Sequence, residues 1–368
     1  MEKPLDPDPA QRARVILPCD ADRLDATIDF FRERLGFRML AIQPADSPTV
    51  AILSGGGTTV ELNAGHEGGA GAIRLLGKRP TSPNEPLVAP NGTAIFLDQA
   101  DPPLVIPELQ ARWGITRRAE SPWGVGRAGL RYRDLIPDRQ GGRFIASHIQ
   151  VPDGGPVPDY VHYHRIRFQM IYVYKGWVRL VYEDQGPPFV MQAGDCVLQP
   201  PQIRHRVLEC SDGFEVIELG CPAEHETLVE HGFDLPTPAI RPDRNFGGQR
   251  YVLHRVEEAR WTPWWGAGFE CRDTGIGHAT EGLAGARVAR SVGASAKPTS
   301  LPSARSAELH FLFLLSGSCG IDIENDRTHG LEVGDSVVLP LDRKSTLVEP
   351  STDLELLEVT LPARPQSH

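Results

Sequence analysis

The chain has 368 residues, with 38 Lys and Arg against 48 Asp and Glu, for a formal net charge of −10. Its hydrophobic content of 40% and charged content of 23% suit a folded globular chain and exclude a wholly disordered one. Glycine (37) and proline (33) are in excess without any Gly-X-Y period, so collagen is excluded and long helical bundles are disfavoured. Short strands joined by many turns are expected. The scattered basic residues argue against nucleic-acid binding, which needs a clustered basic face. No stretch of about 18 apolar residues occurs, so no membrane span is expected. The opening residues lack the apolar core of a signal peptide. The six cysteines, at 19, 196, 210, 221, 271 and 319, include no Cys-x-x-Cys pair and read as reduced, buried thiols of a cytoplasmic protein.

In chain order, residues 13–17 read as a strand. Residues 21–35 then carry Leu24, Ile28, Phe31 and Leu35 at helical spacing, with Gly36 as the stop. Strand-like runs follow at 37–43, 49–54 and 58–63, the last two joined by Gly55-Gly56-Gly57. This βαβββ order, together with Phe30-Phe31-Arg32-Glu33-Arg34-Leu35-Gly36-Phe37, resembles one module of the vicinal oxygen chelate (glyoxalase/bleomycin-resistance) superfamily. The resemblance implies a metal cup built from two such modules, but here only Glu61 stands at a ligand position. Pairing of two chains through the exposed sheet, giving a homodimer, is the expected use. Residues 66–92, with five Gly and four Pro, read as a linker. The stretch from 93 to 142 is mixed, with a strand at 93–97 and a short helix at 107–113.

From 143 onward the chain repeats itself. Tyr174-Lys175-Gly176-Trp177 and Ala193-Gly194-Asp195 through Pro200 recur as Leu315-Ser316-Gly317-Ser318 and Val333-Gly334-Asp335 through Pro340, offset by 140 to 141 residues. In the first copy, His162 and His164 are two apart, so on a strand they share a face. His205 follows Pro200 by five positions. Three imidazoles from neighbouring strands make a facial nitrogen site that leaves positions open for substrate, water or dioxygen.

The pattern Gly155-x6-His162-x-His164-x4-Gln169-x6-Gly176, followed by Gly194-x5-Pro200-x-Gln202-x2-His205-x3-Glu209, resembles the two motifs of the cupin superfamily. It implies a mainly β chain of two tandem jelly-roll barrels preceded by a small α+β module. The divisions would be 1–65, a linker and mixed segment 66–142, a metal-binding barrel 143–235 and a degenerate barrel 236–368. His162, His164 and His205 would ligate one divalent metal, with Fe(II) favoured and Zn, Mn or Ni possible. Gln169 stands where the family has a Glu ligand, so the site loses an anion and suits an anionic or enolate-like substrate. Gln169 would bond substrate or dioxygen or serve as a weak ligand, and Tyr172 and Arg179 would line the pocket.

In the second copy the ligand positions become Ser303, Arg305, His310 and Ser345, which implies a barrel without metal. His310 reads as a packed core histidine, His225 as a solvated loop histidine, and the Trp261, Trp264, Trp265 group as core or interface. These features predict a metal-dependent dioxygenase acting on a small oxygen-rich molecule. The alternatives are a non-redox isomerase, hydrolase or decarboxylase, or a non-catalytic binder.

Overall fold

The computed structural model describes residues 14–44, 48–77, 85–126, 130–293, 296–302 and 305–363. The chain forms two compact units, one ending at Pro103 and the other beginning at Leu104.

In the first unit, strands Val15–Pro18, Arg38–Gln43, Val50–Gly55 and Thr58–Asn63 make one sheet, with the first strand parallel to the last. The segment between the first two strands is helical, with an α-helical centre at Leu24–Asp29. Its stripe of Leu24, Ile28 and Phe31 packs on Leu53, Val60 and Leu62 of the sheet, as the spacing predicts. The hairpin at Gly56 and Gly57 has both residues at positive φ, +57° and +75°, the mirror-type turn whose twist matches the strands it joins. The expected linker is partly a strand. Ala72–Gly77 pairs in parallel with Ala94–Gln99, because Ile73 and Leu75 alternate onto the core beside Ile95 and Leu97. Residues 78–84 of that segment lie outside the described residues.

The helix expected at 107–113 does not form. Its backbone groups are met from elsewhere: the Gln110 N–H donates to the Gln140 carbonyl, the Arg112 N–H donates to the Gln140 side chain, and Arg143 donates to the Pro107 carbonyl.

The second unit is two β-barrels. In the first, a seven-stranded sheet centred on Phe168–Lys175 and Phe214–Cys221 faces a sheet carrying Trp177–Tyr182, His205–Cys210 and His162–His164. The second repeats the plan with Leu309–Ser316 and Glu355–Leu361 facing Ser318–Ile323 and Ser345–Val348. Strand alternation builds both cores. Phe168, Met170 and Tyr172 pack with Phe311, Phe313 and Val359 in one cluster shared by the two barrels. The intervening residues of each strand face that barrel's own interior.

The barrels also exchange strands, which the expected boundaries near 142 and 235 did not anticipate. Gly114–Thr116, ahead of the first barrel, pairs with Ser336–Val338 of the second. Val252–His254, ahead of the second, pairs with Cys196–Leu198 of the first. Matching clamps accompany the exchange. Arg117 bonds Asp335 at 2.9 Å and Arg255 bonds Asp195 at 3.0 Å, so each Gly-Asp turn is held by an arginine from beside the exchanged strand. Fully buried Arg133 and Arg272 donate to the carbonyls of Gly334 and Gly194, respectively.

Candidate metal centre

His162 and His164 lie on one short strand, and His205 opens the strand paired with it, directly opposite His162. The three imidazoles place ligand atoms within 4.8 Å of one another. His162 and His205 are buried and His164 is half-buried.

Each Nδ1 has a protein partner. That of His162 lies 2.8 Å from the Tyr160 carbonyl, that of His205 lies 3.0 Å from the Ile203 carbonyl, and that of His164 lies 2.9 Å from the Thr227 hydroxyl. A carbonyl only accepts, so His162 and His205 carry a proton on Nδ1, and it is Nε2 of each ring that can serve as a metal ligand. Asp159 Oδ1 lies 3.5 Å from His162 Nδ1 and favours the same tautomer. Anchoring of one ring nitrogen to free the other is how metal-binding histidines are oriented. Three neutral nitrogen donors with open positions fit a divalent transition metal.

Gln169 shares the barrel interior, but its amide is engaged at both ends. Its Nε2 donates to Glu218 at 2.6 Å, its Oε1 accepts from Gln199 at 3.1 Å, and Gln199 in turn accepts from the Tyr182 hydroxyl at 2.5 Å. The Tyr182 hydroxyl, Gln199 and Gln169 thus donate in turn along one chain that ends on a Glu218 oxygen. Tyr182 stacks on the His205 ring, with centroids 5.4 Å apart. Burial pushes the Tyr182 hydroxyl well above its ordinary pKa, so it remains a donor.

Two expected site residues lie elsewhere. Arg179 sits between the inward-facing Val178 and Leu180, hence on the outer face, where it pairs with Glu209 at 2.5 Å. Tyr172 faces the other barrel, and its hydroxyl accepts from Arg272 at 3.2 Å. Burial raises its pKa far above the usual range. Arg204, next to His205 in the chain, stands over the Tyr163 ring and pairs with Glu230 at 2.7 Å.

Conversely, His225 does not stand apart. Its ring lies 5.4 Å from that of His164, with Nδ1 against the Pro222 carbonyl at 3.0 Å. Glu218, Gln199, Tyr182 and Thr227 escaped the sequence reading. For Glu218 the signal was present: a glutamate inside an apolar strand, with Glu358 at the same place in the repeat.

In the second barrel Arg305 is exposed, Ser345 is buried, and Ser303 lies outside the described residues. His310, at the Gln169 position, bonds Glu358 at 2.8 Å, and the indole N–H groups of Trp264 and Trp265 donate to the same carboxylate at 3.1 and 3.2 Å. Burial raises the Glu358 pKa, but these three donors outweigh it and hold the carboxyl below its ordinary value. Trp264 belongs to the barrel core, as expected. In the first unit Glu61 is paired with Arg14 at 3.1 Å and Asn63 at 2.9 Å. Among the described residues, the one cluster able to hold a metal is the histidine triad.

Two jelly-roll barrels in tandem, one with three converging histidines, define the cupin fold. Among solved structures, the chain is similar to the oxalate decarboxylase of Lactobacillus farciminis, in a formate complex. The TM-score is 0.51 at 11% identity over 71% of this chain and 88% of that one. It is likewise similar to the protein Ylba from E. coli, with a TM-score of 0.50 at 9% identity over 72% of this chain and 96% of that one. At such identities the likeness concerns the fold. No family model and no curated protein matches the chain.

Proposed function

We propose that the protein is a metal-dependent enzyme, holding one divalent cation on Nε2 of His162, His164 and His205. In this reading it acts as an iron(II) dioxygenase on a small oxygen-rich anion, such as a β-diketone or a hydroxy-aromatic acid. The observation that carries it is the set of three Nδ1 anchors at 2.8 to 3.0 Å, which leaves nitrogen donors converging without a carboxylate ligand. A metal bound there supplies a Lewis acid for an anionic oxygen and, as iron(II), an electron source for dioxygen.

The chain's own residues do the rest. The uncompensated site charge draws an anionic substrate. Gln169 keeps its second amide N–H for a substrate oxygen while Glu218 and Gln199 fix its plane. The free oxygen of Glu218 takes a proton from a substrate hydroxyl or enol.

A second reading, metal-dependent decarboxylation without dioxygen, is favoured by Glu218. After carbon dioxide leaves, a carboxylic acid in that position returns a proton to the electron pair left behind. The likeness to an oxalate decarboxylase fits this reading. Anaerobic loading with Fe(II), followed by oxygen-uptake measurements across diketones, gentisate-like phenols and thiols, tests the first reading. Carbon dioxide release from oxalate or β-keto acids by Mn-loaded protein under argon would transfer the assignment to the second. Neither activity in fully loaded protein would leave a ligand-binding role. The homodimer belongs to the same proposal, with Leu40 and Ile42 exposed on the first unit's edge strand as its contact face. Sedimentation of the full chain tests it.

A further inference from the structure

The second barrel carries a cavity of about 740 Å3, within the range of small-molecule sites. Its walls come from the segments around Trp113, Arg305 and Pro340. Three arginines line it: Arg112, Arg305 and Arg343. Among the described residues, no carboxylate lies within ion-pair distance of Arg112 or Arg305. Arg343 lies 4.0 Å from Asp342 and stands over the Trp113 ring, 5.5 Å from its centroid. The other acid in the wall, Glu308, is already met by Arg143 at 2.6 Å and Arg167 at 2.8 Å. Guanidinium charge is therefore in local excess, in a chain whose net charge is −10.

The wall also has an apolar part, which includes Trp113, Ala307, Leu339 and Leu341.

We propose that this cavity binds a small organic anion bearing two or more carboxylates. Arg305 and Arg343 each take a carboxylate through paired N–H groups. The hydrocarbon part lies against Trp113, Leu339 and Leu341. An inorganic anion would neutralise the arginines but leave that apolar wall against water. The site needs no metal, so it stands or falls separately from the proposed activity.

Titration calorimetry of the full chain with phthalate, citrate, inorganic phosphate and neutral phthalamide tests it, with metal content measured alongside. Phthalate and citrate should bind, more weakly as salt is raised. Phthalamide should not bind. Arg305→Gln and Arg343→Gln should each weaken binding about tenfold, with circular dichroism and metal content unchanged. Three outcomes would overturn the proposal: no binding of either organic anion at low millimolar concentration, unchanged binding in the double variant, or phosphate binding as tightly as phthalate.

Discussion

The two barrels share strand order, Gly-Asp turns and reciprocal arginine clamps, yet their interiors have gone opposite ways. In the first, the inward positions hold three imidazoles with anchored Nδ1 atoms and an amide tied to Glu218. In the second, the corresponding amide and glutamate positions are His310 and Glu358, and two indoles close over the carboxylate. Glu218 is half-buried and accepts from the Gln169 amide. Glu358, saturated by three donors inside a packed core, is structural. Both contents sit in the same scaffold, with one core between the barrels and the exchanged strands common to the two halves.

The sharpest way to break this contrast is to remove a ligand. His162→Ala should abolish metal binding, taking the content measured by elemental analysis from one ion per chain to none, whereas His310→Ala should leave it unchanged. Metal retained by the first variant would remove the site assignment.

A stability comparison comes next. Glu358→Ala strips a buried carboxylate from His310, Trp264 and Trp265 and should cost about 3–5 kcal/mol in chemical denaturation. Glu218→Ala, half-buried with one donor, should cost about 1 kcal/mol. Equal costs would mean that both carboxylates are structural.

How far the sequence foretold this contrast depends on the range of the interactions. The triad was legible because a two-residue strand period and turn spacing are local properties. The phase of a strand is local too, and there the reading erred. Tyr172 lies three positions from Gln169, an odd separation that puts the two on opposite faces. Arg179 lies between the apolar Val178 and Leu180, so it faces outward. The strand exchange was not legible, because nothing in Gly114–Thr116 names its partner more than 200 residues away at Ser336–Val338. Thr227 was missed for the same reason. Its link to His164 spans 63 residues and forms only when the strand after the barrel folds back.

The junction between the barrels is asymmetric in one respect, and acid should expose it. Next to Arg133 lie His148 and Glu215, whereas the matching position to His148 in the second half is Val288. Burial alone raises the Glu215 carboxyl, but His148 at 2.6 Å and Lys175 at 3.2 Å together bring it down to about 2. A folded-state pKa below the unfolded value of 4.5 stabilises the fold above that pH, and the contribution is lost as pH falls from 4.5 towards 2. Denaturant midpoints measured across this window should fall by less in Glu215→Gln than in the parent, though the variant starts lower at neutral pH. Parallel curves would show that the carboxylate is not coupled to folding.

The smallest expected effect tests the most specific claim about the first barrel, that its ligands are aimed from behind. Thr227→Val keeps the shape of the side chain but removes the hydroxyl 2.9 Å from His164 Nδ1. The ring can still reach the metal, so stoichiometry should stay at one, but its orientation and tautomer are no longer fixed. Loss of such a partner lowers metal affinity by about 10-fold to 100-fold. The low end is expected here because His164 is half-buried and water can replace the hydroxyl. Competition with a chelating dye measures it. No change in affinity would mean that the Thr227 contact is incidental, and that the two buried histidines, held by the Tyr160 and Ile203 carbonyls, set the site alone.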